Sequence, residues 1–120
     1  MKPSLLTPNE IDAYLNAGYW TRETMVDRYN LYAARNPDCI ACRDITETYS
    51  WSSLKTVTDR LAASLIELGI PRDATAIVQT PSNCRELLLR VAFKKAGIIG
   101  VFIPLQWRRR ELIYVFDRIN

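Results

Sequence analysis

The chain contains no histidine. That absence excludes Ser–His and Cys–His nucleophile pairs and removes the commonest metal ligand. Four glycines, Gly18, Gly69, Gly97 and Gly100, are too scattered to build a glycine-rich phosphate loop. The three cysteines are few and odd in number, which fits a reducing compartment better than a disulfide framework. Long hydrophobic runs are missing too. The longest, Ile98–Leu105, is interrupted by Gly100 and Pro104 and falls far short of the ~20 residues that span a bilayer. The first ten residues, MKPSLLTPNE, lack the apolar centre of a signal peptide. The expectation is therefore cytoplasmic, without a membrane span. A net charge of +3 is too small to argue for a nucleic-acid partner, because phosphate binding needs a concentrated basic face.

What is present is ordinary for a globular protein: 48% apolar and 24% charged residues in a length of 120 that suits one domain. Thr7 and Pro8 open a helix over Pro8–Ala17, with Glu10 in its first turn and Gly18 behind it. Thr24 caps a second helix, Met25–Arg35, whose Met25, Tyr29 and Tyr32 share a face and which Asn36-Pro37 stops. Cys39–Arg43 and Thr46–Tyr49 lean to strand around a polar turn, as in a small hairpin. Ser50 then caps a helix marked by Leu54, Val57, Leu61, Leu65 and Leu68, closed by Gly69 before Pro71.

From residue 74 strand and helix alternate. Ala74–Thr80 is a predicted strand ending at Pro81, and Ser82 or Asn83 caps a helix reaching Ala96. Gly97 ends that helix, Ile98–Ile103 is a continuous apolar strand, and Arg109–Ile119 is a final helix. Such runs suit buried parallel strands joined by a right-handed crossover. On the last helix Leu112, Val115, Phe116 and Ile119 fall on one face with nothing after them to cover it. Self-association through uncovered apolar surface is the corresponding expectation. The elements form an α/β arrangement whose sheet is not closed.

Few residues invite chemistry. Cys39-Ile-Ala-Cys42 has CxxC spacing, but in a strand residues three apart point to opposite faces, so buried or half-buried thiols are favoured over a redox or metal site. Arg108-Arg109-Arg110 opens a helix after a strand, where an anion could be held. A solvated face with Glu111 pairing locally is the favoured alternative, since these arginines oppose the macrodipole. Lys94 and Lys95 suit the end of their helix electrostatically and are given no function. Gln79–Asn83 lies at a strand's carboxyl end, a usual place for ligands, but helix capping by Ser82 and Asn83 accounts for it. Trp20, Trp51 and Trp107 read as core or interface anchors rather than stacking platforms.

In order, these landmarks resemble the opening of an adenylate-forming enzyme of the acyl-CoA synthetase, aryl-acid-AMP ligase and luciferase superfamily. The similarity is strongest to its aryl-acid and short- or medium-chain acid:CoA ligase branch. Gly18-Tyr19-Trp20 with Thr24, Ile40-Ala41-Cys42, Tyr49-Ser50 with Leu54, and Asp59-Arg60-Leu61-Ala62 with Leu68-Gly69-Ile70 carry the first half. Val78-Gln79-Thr80-Pro81, then Ala92, Lys95 and Gly97, then Pro104, Arg108, Glu111 and Leu112 carry the second. The chain departs at Ser53, where the family usually has Glu, and at Asp73-Ala74, which replaces Gly-Asp. Ser82 and Arg85 replace the usual Asn and Glu.

The resemblance implies an incomplete N-terminal part of a large layered α/β adenylate-forming domain. Residues 1–120 would form a single incomplete domain: a helical lead-in at 1–37, a hairpin at 38–49, and a helix plus β-α-β-α unit at 50–120. It further implies a parent, an acid:CoA ligase or an aryl-acid adenylating enzyme, that uses ATP and Mg2+ to convert a carboxylic acid to an acyl-adenylate and, in most of the family, then passes the acyl group to CoA. The phosphate loop, metal element, ribose-binding Asp and hinge Lys lie beyond this segment in family members. No catalytic, cofactor-binding or metal residue is therefore assigned here, and the chain itself is expected to be inactive. A free-standing α/β interaction or small-ligand-binding module is the alternative reading.

Overall fold

Short polar side chains fix where the helices begin in the structure, a computed structural model that describes residues 6–119. Expectations touching residues 1–5 and Asn120 lie outside the described residues. In α1 (Pro8–Asn16) the Thr7 hydroxyl accepts the Glu10 amide at 3.4 Å, and the Glu10 carboxylate accepts the Thr7 amide at 2.7 Å. Thr24 and Asp27 repeat this reciprocal capping box at 3.2 and 2.7 Å in α2 (Met25–Arg35). At α3 (Trp51–Glu67) the Ser50 hydroxyl accepts from the Ser53 amide at 3.2 Å, and Ser53 has no carboxylate with which to reply. Asn83 alone caps α4 (Cys84–Ala96), accepting from the Glu86 amide at 3.2 Å. Gly97 ends that helix with φ 74°, a conformation that glycine adopts without penalty. The last helix is α5 (Arg109–Ile119).

The strands are shorter than the periodicity predicts. β1 (Ile40–Arg43) and β2 (Thr48–Ser50) form an antiparallel hairpin with a register irregularity between Ile40 and Cys42. β3 (Thr75–Val78) and β4 (Ile99–Phe102) pair in parallel, Thr75 opposite Ile99 and Val78 opposite Phe102. Helix α4 crosses between them. Among the described residues each sheet has only two strands, so β3 and β4 each keep an unpaired outer edge.

The core lies where α3 and α4 pack side by side under the hairpin. Leu54, Leu88 and Val91 form its centre, ringed by Tyr29, Ala41, Cys42, Tyr49, Val57 and Leu87. Trp51 anchors α2 to α3, its ring 5.2 Å from Tyr32 and 6.1 Å from Tyr29. The Gly18-Tyr19-Trp20 segment folds back on α1: Trp20 packs 5.0 Å from Tyr14, and the Tyr19 and Trp20 amides donate to the Tyr14 carbonyl. Helix α1 itself buries no residue. The radius of gyration, 16.8 Å, exceeds the roughly 13–14 Å of a compact domain this long.

Two expectations need correction. Cys39 precedes β1 and is exposed; only Cys42 is half-buried, because β1 begins one residue later than predicted. The apolar residues of α5 do not share one bare face. Val115 is buried and Leu112 and Ile119 are half-buried, while Phe116 is 52% exposed beside exposed Ile113 and Tyr114. The helix thus covers one stripe and leaves a second bare, since its apolar residues span more than half its circumference.

Candidate functional site

Ligands of open α/β sheets sit beyond the carboxyl ends of parallel strands. Here the turn after β3 and the connection after β4 meet at that end. The Gln79 side-chain amide donates to the carbonyls of Pro104 (2.9 Å), Leu105 (3.3 Å) and Trp107 (3.0 Å). One side chain thereby clasps both crossings. The Arg108 guanidinium turns back on two of the same carbonyls, 2.6 Å from that of Leu105 and 3.2 Å from that of Trp107.

Between the two turns lies an open cleft of about 350 Å³, lined in part by Thr80, Ser82, Glu86, Arg90, Phe102 and Pro104. Arg90 donates from Nε to the Glu86 carboxylate at 2.7 Å and lies 3.8 Å over the Phe102 ring. Its charge is doubly occupied. The Thr80 hydroxyl is buried and has no hydrogen-bond partner among the described residues. Beneath the cleft, Gly100 is the residue that lets the sheet close on α4. A Cβ there would stand 2.5 Å from the Phe102 ring and 2.8 Å from that of Phe93.

The arginine cluster does not converge. Arg108 is spent on backbone carbonyls, whereas Arg109 and Arg110 are exposed. Glu111 accepts the Arg108 amide at 2.9 Å, closing the start of α5, and this hydrogen bond leads the effects holding its carboxyl below the usual range. Of the proposed cap pair, Asn83 alone binds the helix, and Ser82 is left exposed on the cleft wall.

Three long-range arrangements escape the sequence reading. Asp44, in the hairpin turn, accepts four hydrogen bonds: from the Thr46 amide (2.7 Å) and hydroxyl (2.9 Å), the Glu47 amide (2.8 Å), and the Cys84 amide that opens α4 (2.9 Å). The Cys84 bond leads the effects that hold its carboxyl far below the usual range. The Asp44-Ile45-Thr46 spacing signals the local turn; the reach to Cys84 has no signal. Lys95 is not a bystander at a helix end. It donates to the Thr58 hydroxyl (2.8 Å) and the Asp59 carboxylate (2.7 Å), tying α4 to α3. Burial alone would raise the Asp59 pKa, but the bonds from Lys55 and Lys95 hold it low. The third brings Cys42 and Cys84 to the lining of one hollow.

These residues do not fit a nucleotide or its metal. Arg90 and Arg108 are already engaged, and among the described residues no three His, Cys, Asp or Glu side chains converge on a metal position. The arrangement holds two turns in register. No described helix is long and apolar enough to cross a membrane.

No family model matches the chain. It is 32% identical over 108 residues to 2,3-dihydroxybenzoate-AMP ligase of Bacillus subtilis, covering 89% of this chain and 20% of that protein. It is 28% identical over 107 residues to medium-chain fatty-acid–CoA ligase of Escherichia coli, covering 88% of this chain and 19% of that one. Among solved structures, apo MbtA of Mycobacterium smegmatis superposes with a TM-score of 0.88 at 25% identity, over 95% of this chain and 22% of that chain. The chain thus spans about a fifth of the length of these relatives.

Proposed function

The chain belongs to the adenylate-forming superfamily, matching the N-terminal part of its adenylation domains, and from that premise we propose that it is the N-terminal segment of an AMP-forming acid ligase. The observation that carries this is the superposition over 95% of the chain with a TM-score of 0.88. The parent activates a carboxylic acid as its acyl-adenylate and then forms a thioester with CoA. An aryl or medium-chain acid is the substrate class, by analogy with the dihydroxybenzoate and fatty-acid ligases. We place it in the cytoplasm, in keeping with three unpaired cysteines.

ATP and Mg2+ would supply the pyrophosphate leaving group and its charge neutralisation in the parent. This chain's residues do other work. Gln79 and Arg108 fix the two strand-end turns, and Lys95 locks α4 to α3. Catalysis by positioning needs a rigid frame of this kind, but it also needs reacting groups that this segment does not provide.

Two measurements test the reading. The isolated 120-residue chain is expected to give no ATP–pyrophosphate exchange with aryl or medium-chain acids. Acid-dependent exchange by the chain alone would refute its assignment as an inactive segment. The coding sequence 3′ of the Asn120 codon is expected to encode a Ser/Thr/Gly-rich segment ending in Lys-Gly. An open reading frame without one would leave the free-standing α/β module as the better account.

A further inference from the structure

Cys42 and Cys84 come from different elements and meet at one surface cavity. Cys42 lies on the inner side of β1, half-buried against Leu54, Leu88 and Val91. Cys84 is the first residue of α4, only 4% exposed, its sulfur 3.9 Å from the Glu47 carbonyl. Both line a hollow of about 240 Å³ shared with Arg43, Asp44, Ser82 and Asn83. Cys39 is exposed and lines none of it. We propose that Cys42 and Cys84, and not the CxxC pair, form a reversible intramolecular disulfide that takes a low-molecular-weight disulfide as its oxidant.

Chemistry assigns the two sulfurs different parts. A helix N-terminus ordinarily favours a thiolate. Here Asp44 already accepts the Cys84 amide, and burial, followed by the neighbouring Cys42 and Asp44, pushes the Cys84 thiol up to about 12. Cys84 therefore rests as a thiol. Cys42, open to the hollow, is the sulfur that an incoming disulfide reaches. Its thiolate attacks one sulfur of the small disulfide, forming a mixed disulfide and expelling one small thiolate. Cys84 then gives up its proton to that thiolate and displaces the second small thiolate from the Cys42 sulfur. The protein loses two protons and two electrons, and the small disulfide leaves as two thiols. The new bond staples the hairpin to the start of α4, directly beside the Gln79–Asn83 turn. Transient, redox-sensing disulfides of this kind are the sort compatible with a reducing compartment.

The inference does not rest on the family reading. Its test treats the full 120-residue chain with oxidised glutathione and maps unreduced peptides by mass spectrometry. The expected result is a mass loss of about 2 Da and one peptide joining Cys42 to Cys84, both reversed by a thiol reductant. Cys39→Ser should close like the parent chain, and Cys42→Ser should not close at all. Because Cys84 is buried, the wild-type chain is also treated with phenylarsine oxide, which bridges neighbouring thiols. A single arsenic per chain should remove Cys42 and Cys84 together from reaction with iodoacetamide. Stable glutathione adducts without closure, a Cys39–Cys42 link, or arsenic bound at Cys39 and Cys42 would overturn the proposal.

Discussion

At the scale of single residues, Asp44 joins two parts of the chain forty residues apart. Its carboxylate holds the hairpin turn and the first amide of α4 together. Because its folded pKa is depressed, the stabilisation it brings is complete above the unfolded value of about 3.9 and is lost as pH falls towards the folded one. Asp44→Asn is therefore expected to lower the urea midpoint at pH 7, with the gap to the wild type shrinking steadily below pH ~4. A gap that is the same at pH 7 and pH 2.5 would show that the charge is not the source. Asp73 presents the opposite case. It carries φ 65°, the left-handed conformation, at the position where family members usually have glycine. The strain costs roughly 1–2 kcal/mol, less about 0.5–1 for the greater freedom that glycine loses on folding. Asp73→Gly should therefore stabilise the chain by roughly 0.5–1 kcal/mol in chemical denaturation. A loss of stability would mean that the Asp73 side chain makes a favourable contact.

At the scale of elements, the β3–α4–β4 unit depends on a donor at one place. Gln79 directs an N–H2 group at three carbonyl oxygens. Gln79→Glu keeps the shape and exchanges the donors for a carboxylate facing oxygen, so the loss should be larger than deletion of a single exposed hydrogen bond. We expect about 1–3 kcal/mol less stability at pH 7, partly recovered at pH 3 when the acid protonates. Backbone amide exchange over residues 104–108 should accelerate with it. Unchanged exchange there would show that the clasp does not hold the connection.

The same unit shows which parts of the fold the sequence makes legible. Caps at Thr24, Ser50 and Asn83 lie within three residues of their partners, and the left-handed Gly97 marks its helix end locally. Those boundaries read well. Strand ends read wide, because β-leaning residues continue past the point where a partner strand exists to pair with them. The contacts of Asp44 with Cys84 and Lys95 with Thr58, and the meeting of Cys42 and Cys84 at one hollow, join segments about forty residues apart, and no periodicity records them. Lys95 leaves one trace: with Ala92 and Gly97 it carries part of the resemblance to the adenylate-forming superfamily. At the candidate site, the position of the Gln79 turn was readable from strand order, but its clasp on the second turn was not.

Over the whole molecule, apolar surface remains in the open. Tyr19, Ile45, Leu68, Tyr114 and Phe116 are all more than half exposed, and among the described residues β3 and β4 have unpaired edges. The isolated chain should self-associate. Sedimentation velocity across a hundredfold concentration range is expected to show a rising weight-average mass, reduced by Phe116→Glu together with Ile113→Lys. A monomer throughout that range would mean this surface is not adhesive.

The amides that open α4 form the kind of cradle in which many helices grip phosphate. In this protein a tethered tenant already sits there, the carboxylate of Asp44, with donors on both of its oxygens. A dianionic guest would have to evict it against mutual repulsion. The start of α4 is thus closed by the chain's own hairpin.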